Sequence, residues 1–234
     1  MEYKNVVAAT FLARPNRFLA ECLVAGKTVM AHVKNTGRCK ELLIPGVKVY
    51  LSYMPSHTRK TDYTLLSVQK GKMLVNIDSS APNTILEEAL RSGFILPGQK
   101  AIAQEIKREQ TFFDSRLDFS FLAEDRLCYV ETKGVTLEEN GIALFPDAPT
   151  LRGIKHMKTL MHATEKGYGA YIIFIIQLRG VHCFMPNEKT HAAFGETLRE
   201  AVRCGVHVLA YDTYVKPNQI TFGEEIPVQL SYDV

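Results

Sequence analysis

Three residues in the stretch RLDFSFLAEDRLCYVETKG, residues 116–134, have types and spacing suited to phosphodiester hydrolysis: Asp118, Glu131 and Lys133. Two runs of strand-forming residues flank Glu124 and Asp125, the pattern of a β-hairpin. If those two residues are the whole turn, Ala123 pairs with Arg126 and Asp118 falls directly opposite Glu131. Arg116 then falls opposite Lys133, and alternation puts all four on one face. Leu117, Phe119, Phe121, Cys128 and Val130 make an apolar set on the other. Opposed carboxylates on such a pair have Cβ atoms about 5 Å apart and repel each other. A cation or a shared proton resolves that repulsion, and two hard oxygen ligands with room for water are how magnesium is often held. Lys133 points to the same place, where it could orient an attacking water or stabilise charge growing on a phosphate. The alternative is an ion-pair cluster, Asp118 with Arg116 and Glu131 with Lys133. A three-residue turn would move Asp118 off Glu131 and destroy the geometry.

The elements that must position these residues follow from periodicity. After residue 80, NTILEEALRSG reads as a helix with Asn83 as N-cap and Gly93 as its stop. AIAQEIKRE is a strand, the hairpin follows, and TLRGIKHMKTLMHATEKG is a helix with Ile154, Met157, Leu160 and Met161 on one face. AYIIFIIQL is a continuous apolar run, the mark of a central strand covered on both faces. A helix within NEKTHAAFGETLREAVRCG and a strand VHVLAYD complete an α-β-β-β-α-β-α-β order, an α/β sandwich. Residues 1–80 read instead as five short strands: RFLAECLVAG and KTVMAHVKN, a hairpin turning at Gly26 and Lys27, then GVKVYLSYM, DYTLLSVQ and KMLVNIDS. Five strands of this size suit an OB-like barrel. The expectation is two domains, 1–80 and 81–234.

The chain has 234 residues, 46% hydrophobic and 23% charged, the balance of an ordinary globular protein. Its start lacks the pattern of a signal peptide, and GAYIIFIIQL is too short to span a bilayer. The five cysteines, Cys22, Cys39, Cys128, Cys183 and Cys204, form no CxxC pair, which argues against a zinc site or a disulfide framework. Reduced thiols packed as small apolar groups fit the cytoplasm. The net charge of +3 hides an asymmetry. Residues 1–80 carry 12 Lys and Arg against 5 Asp and Glu, and the remainder carries 16 against 20. A basic first third points to a polyanion, although a solvated basic surface explains the charge as well.

Asp118 followed by Glu131-Thr132-Lys133 resembles the active-site pattern of the PD-(D/E)xK nuclease superfamily. In that superfamily the first acid often follows a proline, whereas Asp118 follows Leu117. Over its whole length the chain resembles the sugar fermentation stimulation protein A (SfsA) family. The resembling motifs include RFLAECLVAG, AHVKNTGRCKELLIPG, APNTILEEAL, SRLDFSFL, YVETKGVTL, FPDAPTLRGIKHMKTL and HVLAYD. The resemblance implies an N-terminal OB-like barrel and a C-terminal mixed α/β sandwich of the restriction-endonuclease-like type. It also implies DNA binding without sequence specificity and a link to sugar (maltose) utilisation. Carried over, Asp118 and Glu131 would hold Mg2+ or Mn2+ and Lys133 would be the catalytic lysine. A helical carboxylate upstream often completes such sites, here Glu88 or, alternatively, Glu87.

Further candidates complete the expected site. Arg152 and His156 are four apart on one helical face, placed to contact phosphate or the leaving group, or else solvated, with Arg152 on Asp147. Gln177 ends the central strand and could face the site or be a satisfied amide. In the barrel, Arg17, Lys34, Arg38, Arg59 and Lys60 are the leading DNA contacts, with Arg14, His32 and Asn35 beside them and Phe18, Tyr50, Tyr53 and Tyr63 interleaved. OB folds bind strands through a basic groove and stacking rings. Three functions remain open: a magnesium-dependent nuclease, a DNA-associated regulator without turnover, and an oligosaccharide-binding barrel.

Overall fold

Two adjacent residues with left-handed backbone, Ala25 (φ 47°) and Gly26 (φ 81°), turn β2 (Leu19–Val24) into β3 (Lys27–Val33). Both central positions of such a turn need positive φ, so the turn lies one residue earlier than Gly26 and Lys27. The structure, a computed structural model, describes residues 1–35, 37–55 and 61–231. Arg59 and Lys60 lie outside the described residues.

β1 (Val6–Asn16) joins β2 on one side and β4 (Lys48–Tyr53) on the other. β4 pairs with β5 (Tyr63–Lys70), and β5 runs parallel to β3 at Ala31–Tyr63, His32–Thr64 and Val33–Leu65. That last pairing closes a five-stranded OB barrel around Phe11, Ala20, Ala31, Val49, Leu51 and Leu65, all buried. β1 is a strand absent from the sequence expectation, and β6 (Met73–Asn76), one of the five expected, extends β5 outside the ring.

The C-terminal sheet runs in the order β15-β14-β12-β9-β8-β7. Its members are β7 (Gln104–Phe112), β8 (Ser115–Ala123), β9 (Arg126–Val135), β12 (Gly169–Ile176), β14 (His207–Lys216) and β15 (Gln219–Glu225). β9, β12 and β14 are parallel, and β12 is buried along its whole length. Alternate residues of β12 serve two faces. Tyr171, Ile173 and Ile175 pack with Ile85, Leu86 and Leu90 of α1 (Ala81–Arg91). Ile172, Phe174 and Ile176 pack with Met157 and Leu160 of α2 (Leu151–Glu165) and with Phe194 and Leu198 of α3 (Glu188–Arg203). A small sheet of β10 (Leu137–Glu139), β11 (Ile142–Phe145) and β13 (Cys183–Pro186), together with β15, was not expected. Their runs are three to seven residues, too short for a periodic signal.

The barrel and the sheet share a core, because barrel residues Leu51 and Val68 belong to one apolar cluster with Ile176 and Leu178. All five cysteines are free thiols and four are buried. Among the described residues no helix is long and apolar enough to cross a membrane.

Candidate functional site

The β8–β9 hairpin turns at Glu124 (φ 50°) and Asp125 (φ 59°), and Ala123 pairs with Arg126 as expected. The ladder keeps this register through Phe121–Cys128 and Phe119–Val130, then stops one residue short of Asp118 and Glu131. The two strands separate there. Leu117 packs on the α2 side and Phe119 on the α1 side, so alternation breaks at Asp118. Its neighbour on β7, Glu109, has a left-handed φ of 52°. The Asp118 carboxylate takes over the missing ladder bond, with Oδ2 accepting from the Thr132 N–H at 2.8 Å.

The other Asp118 oxygen accepts from Asn83 Nδ2 at 3.0 Å. Asn83 is not the N-cap of α1. Ser80 holds that position and Pro82 lies in the first turn, so Asn83 is inside the helix with its amide free to reach the sheet. Burial and then the nearby Glu131 carboxylate raise the Asp118 pKa, outweighing the Thr132 and Asn83 hydrogen bonds and the Lys133 charge.

Glu131 is 3% exposed. Its Oε1 accepts from two donors, Lys133 Nζ and His156 Nδ1. Arg152 Nε donates to His156 Nε2 at 3.3 Å. A guanidinium only donates, so Nε2 accepts and the Nδ1 proton is directed at Glu131. Burial alone would raise the Glu131 pKa, but the His156 hydrogen bond and the Lys133 charge hold it below its ordinary value. Glu131 Oε2 is buried and has no hydrogen-bond partner, and neither does the adjacent Thr132 Oγ1.

Asp118, Glu131, Lys133 and His156 therefore form one cluster, with Arg152 at its edge. The remaining candidates lie elsewhere. Glu88 binds the Met1 ammonium at 2.6 Å, and Glu87 binds Arg91 and Arg108, so both α1 carboxylates are paired with cations outside the cluster. Among the described residues no group of three or more His, Cys, Asp or Glu side chains could hold a metal ion. Gln177 is buried away from the cluster, its amide donating to Asn76 Oδ1 at 2.9 Å and to the Asp78 carbonyl at 3.0 Å. Lys34 is tied to Asp78 at 2.8 Å.

In the barrel, Arg14 donates to four carbonyls, those of Arg17, Asn35, Gly37 and Arg38, and so fastens the loop after β3 to the β1–β2 turn. Arg14, Arg17, Arg38 and Lys40 line a groove of about 420 Å³. Among the described residues, no carboxylate pairs with Arg17, Arg38 or Lys40. Arg17 stands 4.6 Å over the Phe18 ring, which is 44% exposed. A narrower polar cleft of about 130 Å³ shares Gly37 with this groove and runs to Gly134, the residue after Lys133.

An OB barrel joined through one core to a mixed sheet, with a buried and a half-buried carboxylate where two strands part, defines the class of protein. Family models described as "SfsA N-terminal OB domain" and "Sugar fermentation stimulation protein RE domain" match residues 12–77 and 80–219. A sugar fermentation stimulation protein homolog from Desulfitobacterium hafniense (strain DSM 10664 / DCB-2) is 50% identical over 98% of this chain and 99% of its own. One from Ruminiclostridium cellulolyticum is 45% identical over 98% of this chain and 100% of its own. The structure of Pyrococcus furiosus SfsA in complex with Ca2+ superposes with a TM-score of 0.88 at 31% identity, covering 98% of each chain. The chain belongs to the sugar fermentation stimulation protein (SfsA) family.

Proposed function

We propose that this protein is a divalent-cation-dependent phosphodiesterase that binds DNA without reading its sequence, with Asp118 and Glu131 as the cation ligands. The observation that carries the reading is Glu131 Oε2, a buried carboxylate oxygen with no partner beside the half-buried Asp118 carboxylate. A buried unpaired oxygen costs about 1–3 kcal/mol, and more when charged. Asp118 and Glu131 would hold a hard cation, Mg2+ or Mn2+, whose charge would offset that cost and the repulsion that raises Asp118. The residues fit such an ion, and the Pyrococcus furiosus relative is described as a Ca2+ complex. The chemistry such an ion supplies is an acidified water and neutralised phosphate charge.

The chain's own residues do the rest. Asn83 and the Thr132 N–H fix Asp118, and Lys133 carries positive charge to the place where a phosphate would meet the pair. Arg17, Arg38 and Lys40 supply unpaired cations for a phosphodiester backbone, and Phe18 offers a ring for stacking. Free thiols throughout favour a cytoplasmic location for this activity.

A second reading, a DNA-associated regulator of sugar utilisation genes without turnover, draws on the missing third carboxylate. Manganese or magnesium is titrated by calorimetry into wild type and an Asp118→Ala, Glu131→Ala double variant, and each protein is incubated with single-stranded, duplex and branched DNA. Binding and cutting that disappear together in the variant are the expected result. Cation uptake without cutting of any of the three DNAs favours the regulator. No uptake, with DNA binding intact, sinks the catalytic reading.

A further inference from the structure

We infer that Arg152 and His156 are positioning residues that reserve Glu131 Oε1 and leave Oε2 as the single cation ligand of that carboxylate; the inference rests on the cation reading above. His156 is 4% exposed and both its ring nitrogens are engaged, which removes it from direct contact with substrate. Arg152 acts through it. By donating to Nε2, the guanidinium excludes the tautomer with a proton there, and the remaining proton must sit on Nδ1. That proton goes to Oε1, which Lys133 also occupies. Two donors on one oxygen fill its lone pairs and fix the rotation of the carboxylate. Oε2 is left without a donor in a buried setting.

α2 is itself held in place for this task. Ser115 Oγ of β8 and Thr159 Oγ1 of α2 hydrogen-bond at 2.8 Å, three residues beyond His156. Thr150 Oγ1 caps the helix by accepting from the Gly153 N–H at 3.0 Å. The imidazole therefore stands on a helix anchored to β8, the strand that carries Asp118. Groups that hold metal ligands from behind in this way typically alter metal affinity about 10–100-fold when removed.

The test is calcium titration by calorimetry into wild type, His156→Leu and His156→Asn. Asparagine keeps an N–H near the place of Nδ1, while leucine keeps bulk without a donor. The leucine variant is expected to bind calcium about 10–100-fold more weakly, and the asparagine variant to recover most of the loss. Proton–nitrogen correlation spectra of the wild-type imidazole should show the proton on Nδ1, and Arg152→Ala should release a mixture of tautomers. Should His156→Leu not fold, Arg152→Ala carries the affinity test from an exposed position. Equal calcium affinity in wild type and both variants overturns the inference and leaves the cation site standing. So does an asparagine variant as weak as the leucine one, because shape rather than the donor would then matter. Wild type that takes up no calcium overturns the cation reading instead, while a wild-type proton on Nε2 overturns the positioning role by itself.

Discussion

At the residue scale the two carboxylates are driven in opposite directions by what lies beside them. Glu131 has a cation and an imidazole N–H, so it stays ionised and contributes stability above the ordinary glutamate value of 4.5, which is lost as pH falls through its lowered value. Asp118 has burial and Glu131 against it. Its folded pKa is raised, so its contribution is present below the ordinary 3.8 and is lost as pH rises through the raised value. At neutral pH the fold therefore pays to keep Asp118 charged. Asp118→Asn should raise Tm at pH 7 in chelator by about 2–4 °C, the scale of a modest gain in a chain of this size. Both hydrogen bonds survive the change: the new amide oxygen accepts from Thr132, and the Asn83 amide can turn its oxygen to the new NH2. The gain should vanish below pH 3.8, where aspartate is neutral in both states. Calcium should raise the Tm of wild type and not of the variant. A variant no more stable than wild type at pH 7 would mean that Asp118 is not strained by its setting.

At the scale of elements, what positions Asp118 is the meeting of α1 with the end of β9. Gly134 lies at that junction. A Cβ there would come 2.6 Å from Gln177 Oε1 and 2.9 Å from Pro82 Cγ. Pro82 is one residue from Asn83, so the overlap would push on the helix turn that delivers the Asn83 amide. Gly134→Ala should cost about 1–3 kcal/mol, the range for overpacking a filled site, and lower Tm accordingly in thermal melts. An unchanged Tm would show that the junction yields. These contacts also decide how much of the site could be read from the sequence. The register of the β8–β9 hairpin was legible as far as Phe119–Val130, because a two-residue turn fixes pairing without outside help, whereas the break in alternation at Asp118 was not. Asn83 was misplaced by three residues, although Ser80 and Pro82 together carried the signal for an earlier start. The third carboxylate was expected on α1 because sites of the nuclease pattern it resembles often take one from an upstream helix, here Glu88 or Glu87. The helix instead turns them to Arg108 and to the Met1 ammonium, partners set by tertiary packing that no local pattern encodes. His156 was read as a contact to phosphate or the leaving group, or else as solvated, yet it is buried against Glu131, for only the packing of α2 on β9 brings them together. In the barrel, β1 escaped notice because Arg14, Pro15 and Asn16 blur its apolar pattern.

At the scale of the whole molecule, the barrel and the sheet are bound by polar pairs as well as by a common core. Lys70 meets Glu138, and Gln177 spans Asn76 and Asp78. Lys34 is committed to the buried Asp78 within the first 80 residues, and the first third's excess of seven positive charges must act through other residues. Among the described residues, Arg17, Arg38 and Lys40 line one groove without a carboxylate partner, and the cleft at Gly37 leads from them toward Gly134. Each phosphate neutralised by a cation releases condensed counterions, and log Kobs for single-stranded DNA falls with log salt by about 0.7 per contact. Replacing all three by alanine should therefore weaken DNA binding at low salt and flatten that slope by about 2. Calcium affinity should stay at the wild-type value, because Asp118 and Glu131 take no support from the barrel groove in the described contacts. Fluorescence anisotropy with a labelled single strand across a salt series measures the slope, and calorimetry measures the ion. A slope unchanged by the triple variant would move the polyanion to another face of the barrel. Loss of calcium affinity along with the slope would mean that groove and carboxylate pair are coupled through the loop that Arg14 fastens.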